Sequence, residues 1–249
     1  MRQDVTTLEN FYTSPLGRAA AKTLSDRMQA LWGNCVDEQI LGIGFATPLL
    51  DRIGPDAEIK VAAMPAAQGA LTWAPTASGV STVLCDEMQL PFRDGMFSRI
   101  LVMHGLEESH APDALLRELW RIMAPEGRLI VIASNRLGLW ARSEATPFGH
   151  GRPWTRGQLA RALNEAMFQT TAWTHGLHMP PTGWGPVLAL HEGWEKVGET
   201  LSAVMGGVVL IEATKRLYVT PRGEKISFSP IKTVRATKGL AQRAQKRGR

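Results

Sequence analysis

The sequence has only two cysteines, Cys35 and Cys85. Two distant thiols cannot staple a small disulfide-dense fold, and they read as buried side chains. No stretch approaches the ~18 consecutive apolar residues that a membrane-spanning helix needs. The opening residues, Met1-Arg-Gln-Asp-Val-Thr-Thr-Leu-Glu, lack the apolar core of a secretion signal, so the expected location is the cytoplasm. The six histidines are scattered. His175 and His178 are three apart, but no cysteine or carboxylate joins them at metal-ligand spacing, and no metal is expected. No internal repeat is present.

Acidic residues are missing from one end. Between Pro230 and Arg249 lie seven of the 28 basic residues and no acid, leaving 21 basic residues against 23 acidic ones in the rest of the chain. The net charge of +5 therefore belongs to this tail. A basic tail can bind nucleic acid, an acidic lipid surface or an acidic partner. It can equally be a solvated, disordered terminus.

What is present is the grammar of an α/β protein. Hydrophobic residues make up 44% of the 249, enough for one sizeable core. Leu8 to Trp32 has helical spacing, with Pro15 early in the helix after Thr13-Ser14. Short apolar runs at Gln39–Gly44, Glu58–Met64, Val80–Leu84, Arg99–Met103, Arg128–Ala133, Gln169–His175 and Gly207–Lys215 read as strands. Helices are expected from Thr47 or Pro48 to about Gly54, and at Pro112–Met123, Thr155–Met167 and His191–Met205. Thr155 reads as an N-cap. Residues 135–154 form a long connection of the kind often used as a lid. Trp154, Trp173, Trp184 and Trp194 are each expected in the core. The fold class that follows is α/β: a doubly wound, mostly parallel seven-stranded sheet with helices on both faces. The organisation is a helical cap over 1–38, an α/β domain over 39–220 and a basic tail over 221–249.

Polar or turn residues stand where these strands end, and a parallel sheet places its ligand contacts there. Asp86, Leu90-Pro91-Phe92, His104, Glu107 and Pro125-Glu126-Gly127, in that order, resemble the seven-stranded S-adenosylmethionine-dependent methyltransferases. The likeness covers residues 39–134 well. It implies S-adenosylmethionine as cofactor, with Gly42 and Gly44 in the first strand's turn. It also implies that Asp86 accepts from the adenine amino group, that the Glu87 backbone meets the ring and that Met88 packs on its face. His104 would face the sulfonium or the acceptor and could serve as a base. Glycine at a strand end also serves turn geometry, and His104 could instead be a packing or capping residue.

Four positions depart from that pattern. Ala46 replaces the third glycine of G-x-G-x-G, Ser98 an aspartate, and Glu126 the first glycine of a P-G-G turn. The second strand, Ile59-Lys-Val-Ala-Ala-Met-Pro, ends with no acid to hold the ribose hydroxyls. His104-Gly105-Leu106-Glu107 resembles the small-molecule and tRNA-type branches, and no N-P-P-Y-type run is present. The resemblance thus implies methyl transfer to a small-molecule or RNA acceptor, with no catalytic residue fixed by the motifs. The alternative is a catalytically weak or inactive binding or regulatory protein with a protein partner. Asn10-Phe11-Tyr12 and Leu137-Gly138-Leu139-Trp140 are aromatic segments that could cover the pocket.

Overall fold

A computed structural model describes residues 2–75, 80–201 and 205–215. The basic stretch 230–249 lies outside the described residues. Seven strands form one sheet: β1 (Gln39–Gly44), β2 (Ile59–Pro65), β3 (Thr82–Cys85), β4 (Phe97–Met103), β5 (Met123–Ser134), β6 (Phe168–Gly176) and β7 (Val208–Lys215), in the order β3-β2-β1-β4-β5-β7-β6. Strands β1 to β5 pair in parallel, and β7 runs antiparallel to both β5 and β6.

The central strands are apolar on both sides because helices cover both sides. Ile40, Leu101, Ile130 and Leu210 face one layer, made by α1 (Val5–Thr13) and α2 (Pro15–Trp32). Leu41, Ile100, Val131 and Ile211, one position along on the same strands, face α4 (Pro112–Ile122) and α5 (Arg156–Glu165). The α2 stripe of Ala20, Leu24, Met28 and Leu31 is buried, so this helix is one layer of the core. Ser14 separates α1 from α2 and caps the second helix, its side chain accepting from Gly17 N, with Pro15 in the first turn. A reciprocal capping box of Thr155 and Gln158 starts α5.

Five points differ from expectation. The helix after β1, α3, is the single turn Thr47–Leu50 rather than a helix reaching Gly54; Gly54 has φ +53° and Pro55 follows, which stops it. Pro125-Glu126-Gly127 is no simple turn: β5 starts at Met123, pairs with Phe97, and slips register before Arg128. Glu126 occupies the left-handed region at φ +60°, where a glycine would sit without strain. The helix expected from His191 is α7 (His191–Leu201), residues 202–204 lying outside the described residues, and a short additional helix, α6 (Gly185–Ala189), precedes it. Residues 135–154 are packed down rather than poised as a lid: Trp140 and Phe148 are buried, and Trp140 Nε1 donates to the Met179 carbonyl at 2.7 Å. Trp154 is in the core, whereas Trp184 and Trp194 are exposed.

Candidate functional site

The strand order reverses between β1 and β4, so their C-terminal ends open a crevice at a topological switch point. Gly44, the last residue of β1, pairs with Met103. It has φ +84°, and a Cβ there would overlap the Met103 carbonyl oxygen and crowd the His104 backbone. Glycine thus lets the first turn press against the end of β4. Gly42 faces inward, where a Cβ would come within 2.7 Å of Ala46 and Leu50.

His104 follows β4 at φ +51° and is fully buried. Its Nε2 lies 2.7 Å from the Tyr12 hydroxyl. Tyr12 comes from α1, stacks on Phe45 at 5.8 Å, and is buried with it. Phe148 closes the other side, 4.8 Å from the imidazole. His104 Nδ1 is 3.9 Å from Glu107 Oε1, near but not hydrogen-bonded. Backbone amides of Glu107 and Ser134 point toward the Glu107 carboxyl, yet neither oxygen completes a hydrogen bond.

Burial decides the charge of this trio. It holds the His104 imidazole down at about 3 and pushes the Glu107 carboxyl up to about 8. It also raises the Tyr12 phenol, and the Glu107 charge adds to that rise. At neutral pH all three are mainly uncharged. With Tyr12 donating to Nε2, the imidazole proton sits on Nδ1 and faces Glu107. That arrangement can take a proton at Tyr12 and pass one to the ring.

A second set of contacts crosses the ends of β3 and β4. The Arg2 guanidinium, with its side chain 4% exposed, donates to Glu87 Oε2 at 2.6 Å and to the Gly105 carbonyl at 2.8 Å. Ser109 Oγ donates to the other Glu87 oxygen at 2.7 Å, and Gln3 N donates to Glu108 Oε2 at 2.7 Å. The segment leading into α1 thus lies across the strand ends. Asp86 is exposed, and its carboxylate accepts from Met88 N at 2.8 Å, closing its own turn. Met88 is exposed to solvent. The structure therefore brings Gly44, Glu87 and His104 to one edge. It turns Gly42 inward and leaves Asp86 and Met88 on the rim.

Along this edge the buried polar atoms without partners accumulate. They include Gln3 Oε1, both amide atoms of Gln68, His104 Nδ1, both Glu107 oxygens, Glu108 Oε1 and Ser134 Oγ. Buried polar groups are normally satisfied, so such a cluster marks an edge that a polar ligand or ordered water would complete. A cavity of about 380 Å³ opens beside it, lined by Tyr12, Phe45, Thr47, Met64 and Trp73 among others. That is within the ~300–1,000 Å³ range of small-molecule sites. Among the described residues no His, Cys, Asp and Glu group is arranged to hold a metal ion. No helix of the described residues is long and apolar enough to cross a membrane.

Sequence reasoning placed Tyr12 on a covering segment but did not connect it with His104, 92 positions away. Its rarity was the available signal, since the chain has two tyrosines. Arg2 and Gln68 carried none.

Comparison with known proteins agrees with this fold. A family described as "Methyltransferase domain" matches residues 41–131. A ubiquinone/menaquinone biosynthesis C-methyltransferase of Paraburkholderia phytofirmans is 28% identical over 125 residues, covering 50% of this chain and 41% of that protein. The chain spans well under two thirds of the length of the curated relatives it matches. Among solved structures, a Thermotoga maritima S-adenosylmethionine-dependent methyltransferase, described as a possible histamine N-methyltransferase, superposes with TM-score 0.60 at 19% identity, covering 85% of this chain and 96% of that one. A Burkholderia thailandensis 1,6-didemethyltoxoflavin-N1-methyltransferase, solved with its acceptor and S-adenosylhomocysteine, superposes with TM-score 0.50 at 16% identity over 80% and 79% of the two chains. Residues 41–131 match a methyltransferase domain, and the seven-stranded sheet in the order β3-β2-β1-β4-β5-β7-β6, with helices on both faces, has the Rossmann-like fold of the S-adenosylmethionine-dependent methyltransferases.

Proposed function

We propose that this chain transfers the methyl group of S-adenosylmethionine to a small aromatic acceptor held in the cavity beside Tyr12. The observation that carries the reading is the 2.7 Å contact between Tyr12 and His104, buried where the switch point opens. Bound at this edge, the cofactor supplies an electrophilic methyl group. The residues that would hold it are Gly44 at the first turn, Asp86 and Glu87 on the adenine side, and His104 toward the sulfonium. The unpartnered polar atoms on that edge fit such a ligand.

This chain's own contribution is orientation and proton handling. An acceptor loses one proton for each methyl it gains. Tyr12 lines the cavity and can take that proton as its own moves to His104 Nε2. The imidazole's Nδ1 proton faces Glu107, whose carboxylate form steadies the imidazolium. Glu107 ionises near pH 8, so turnover should rise with pH through that value. The aromatic wall of Tyr12, Phe45 and Trp73 suits stacking on a flat acceptor. The quinone methyltransferases among the relatives support an aromatic ring as acceptor. A cavity of about 380 Å³ has the size of a small-molecule site, which supports a small molecule over a folded RNA.

Titration calorimetry with S-adenosylmethionine tests the cofactor half of the reading, with binding expected below millimolar and no binding at millimolar overturning it. A second reading, a non-catalytic binding subunit, draws on the absence of an acid at Met64-Pro65. A stoichiometric protein partner together with no turnover would favour it.

A further inference from the structure

The end of β2 poses a problem that the turn after it answers. Met64-Pro65 offers no carboxylate for the ribose hydroxyls. The chain then makes a tight turn in which Gln68 N donates to the Pro65 carbonyl at 2.9 Å. Ala66 N donates to the Cys85 carbonyl at 2.9 Å, pinning this turn to the end of β3 beside Asp86. From above, Val5 N donates to the Gln68 carbonyl at 2.9 Å, and Val5 packs over Gly69. Gln68 is therefore fixed through its own backbone to β2 and to the lead-in to α1, and its turn is tied to β3 through Ala66.

Its side chain is treated very differently. Gln68 is 1% exposed, yet neither Oε1 nor Nε2 has a hydrogen-bond partner among the described residues. A carboxamide can accept at its oxygen and donate twice at its nitrogen. To bury one with none of these met is costly, and a folded chain rarely does so without a use for the group.

We propose that Gln68 is the ribose-binding residue of this chain, its carboxamide standing in for the missing strand-two acid. The assignment rests on the cofactor reading above. A carboxylate accepts from both hydroxyls of a vicinal diol. A carboxamide meets the same pair differently: one hydroxyl donates to Oε1, and the other accepts from Nε2. The neutral pair is weaker than the charge-assisted one. It avoids placing another carboxylate on an edge that already holds Glu87, Glu107 and Glu108. The device would therefore keep the diol specificity of the family at lower cofactor affinity.

The test measures binding of S-adenosylhomocysteine and of its 2′-deoxyribose analogue to the wild-type chain, Gln68→Leu and Gln68→Met. The wild type should prefer the ribose ligand by about tenfold, the worth of roughly one hydrogen bond. Both variants should lose two hydrogen bonds to S-adenosylhomocysteine, about a hundredfold, and the one left to the deoxy ligand, about tenfold, so that the preference disappears. Their melting temperatures should hold or rise, because each removes an unsatisfied buried amide. A wild type without the preference, or variants that keep it, overturns the assignment. Failure of both variants to fold also overturns it, since Gln68 is then a structural residue. A wild type that binds neither ligand at millimolar concentration removes the cofactor reading itself, and Gln68's role with it.

Discussion

The two halves of the sheet follow different rules. From β4 to β6, strands apolar on both faces lie against α2, α4 and α5, and the helices present regular stripes such as Leu115, Leu119 and Ile122. From β1 to β3, the described connections hold a single helical turn, α3, and no helix follows β2 or β3 before β4. There the strand ends are covered by α1 and the segment before it. Unpartnered carboxyl and carboxamide atoms sit on that edge at Gln3, Gln68, Glu107 and Glu108; the other such atom among the described residues is on Glu212, which is ion-paired with Arg128. The β4-to-β6 half is organised mainly for stability, while the C-terminal edge of the sheet, which takes in Glu107 and Glu108 after β4, carries most of the unpartnered carboxyl and carboxamide atoms. Local rules are broken mainly where a ligand is meant to complete them.

The widest expected separation between the halves comes from the core side. Leu119→Ala removes a fully buried side chain from α4. It should cost about 2–5 kcal/mol in urea unfolding, while the remaining folded protein binds S-adenosylhomocysteine as before. A tenfold fall in affinity would show that the halves are coupled.

Next in size is a change on the ligand side. Tyr12→Phe keeps the ring against Phe45 and removes the hydroxyl that meets His104. Turnover should fall about 100-fold, within the range of lost acid–base catalysis, with cofactor affinity and melting temperature nearly unchanged. Equal losses in turnover and in stability would make the pair structural.

Glu107 sharpens the comparison through pH. Its folded pKa of about 8 lies above the ordinary value of 4.5. Between those values the unfolded chain has released a proton that the folded chain retains, so stability falls as pH rises and levels off above about pH 8. Buried His104 acts oppositely, but its contribution is complete once pH exceeds the ordinary histidine value of 6.5. Above that value Glu107 dominates the pair. From pH 6.5 to 8 the wild type should lose about 2 kcal/mol, and Glu107→Gln should flatten the slope. An unchanged slope would mean the carboxyl is ionised in the folded chain.

Legibility in the sequence followed the same division. Strands and helices of the core half were readable because burial on both faces writes unbroken apolar runs and one-sided helical stripes. His104 and Glu87 were readable because they stand where strands end. Tyr12 was readable only as part of a covering segment and Gln68 not at all, since each takes its place through contacts across the fold. Gln68 sits in a stretch of Ala, Gly and Pro that reads only as loop. Asp86 reads as a ligand contact from its place after a strand, and one of its carboxylate oxygens also closes its own turn. Glu126 looked like a departure in a structural turn, and it is the residue that holds a left-handed backbone within β5.

The smallest expected effect concerns Arg2, which ties the covering segment across β3 and β4. Breaking a buried ion pair is usually expensive because one charge stays buried and alone. That penalty should not apply here. The segment that carries Arg2 lies against both partners, Arg2 donating to Glu87 and Gln3 N to Glu108, so its release should let water reach them. Glu87 also keeps the Ser109 hydroxyl at 2.7 Å. Arg2→Ala should therefore cost less than about 1 kcal/mol of stability, the scale of an exposed pair. Its effect should appear instead in kinetics: S-adenosylhomocysteine should dissociate about tenfold faster in stopped flow, as expected when the covering state loses roughly one charge-assisted contact. A large drop in melting temperature with an unchanged dissociation rate would place Arg2 with the core half of the molecule.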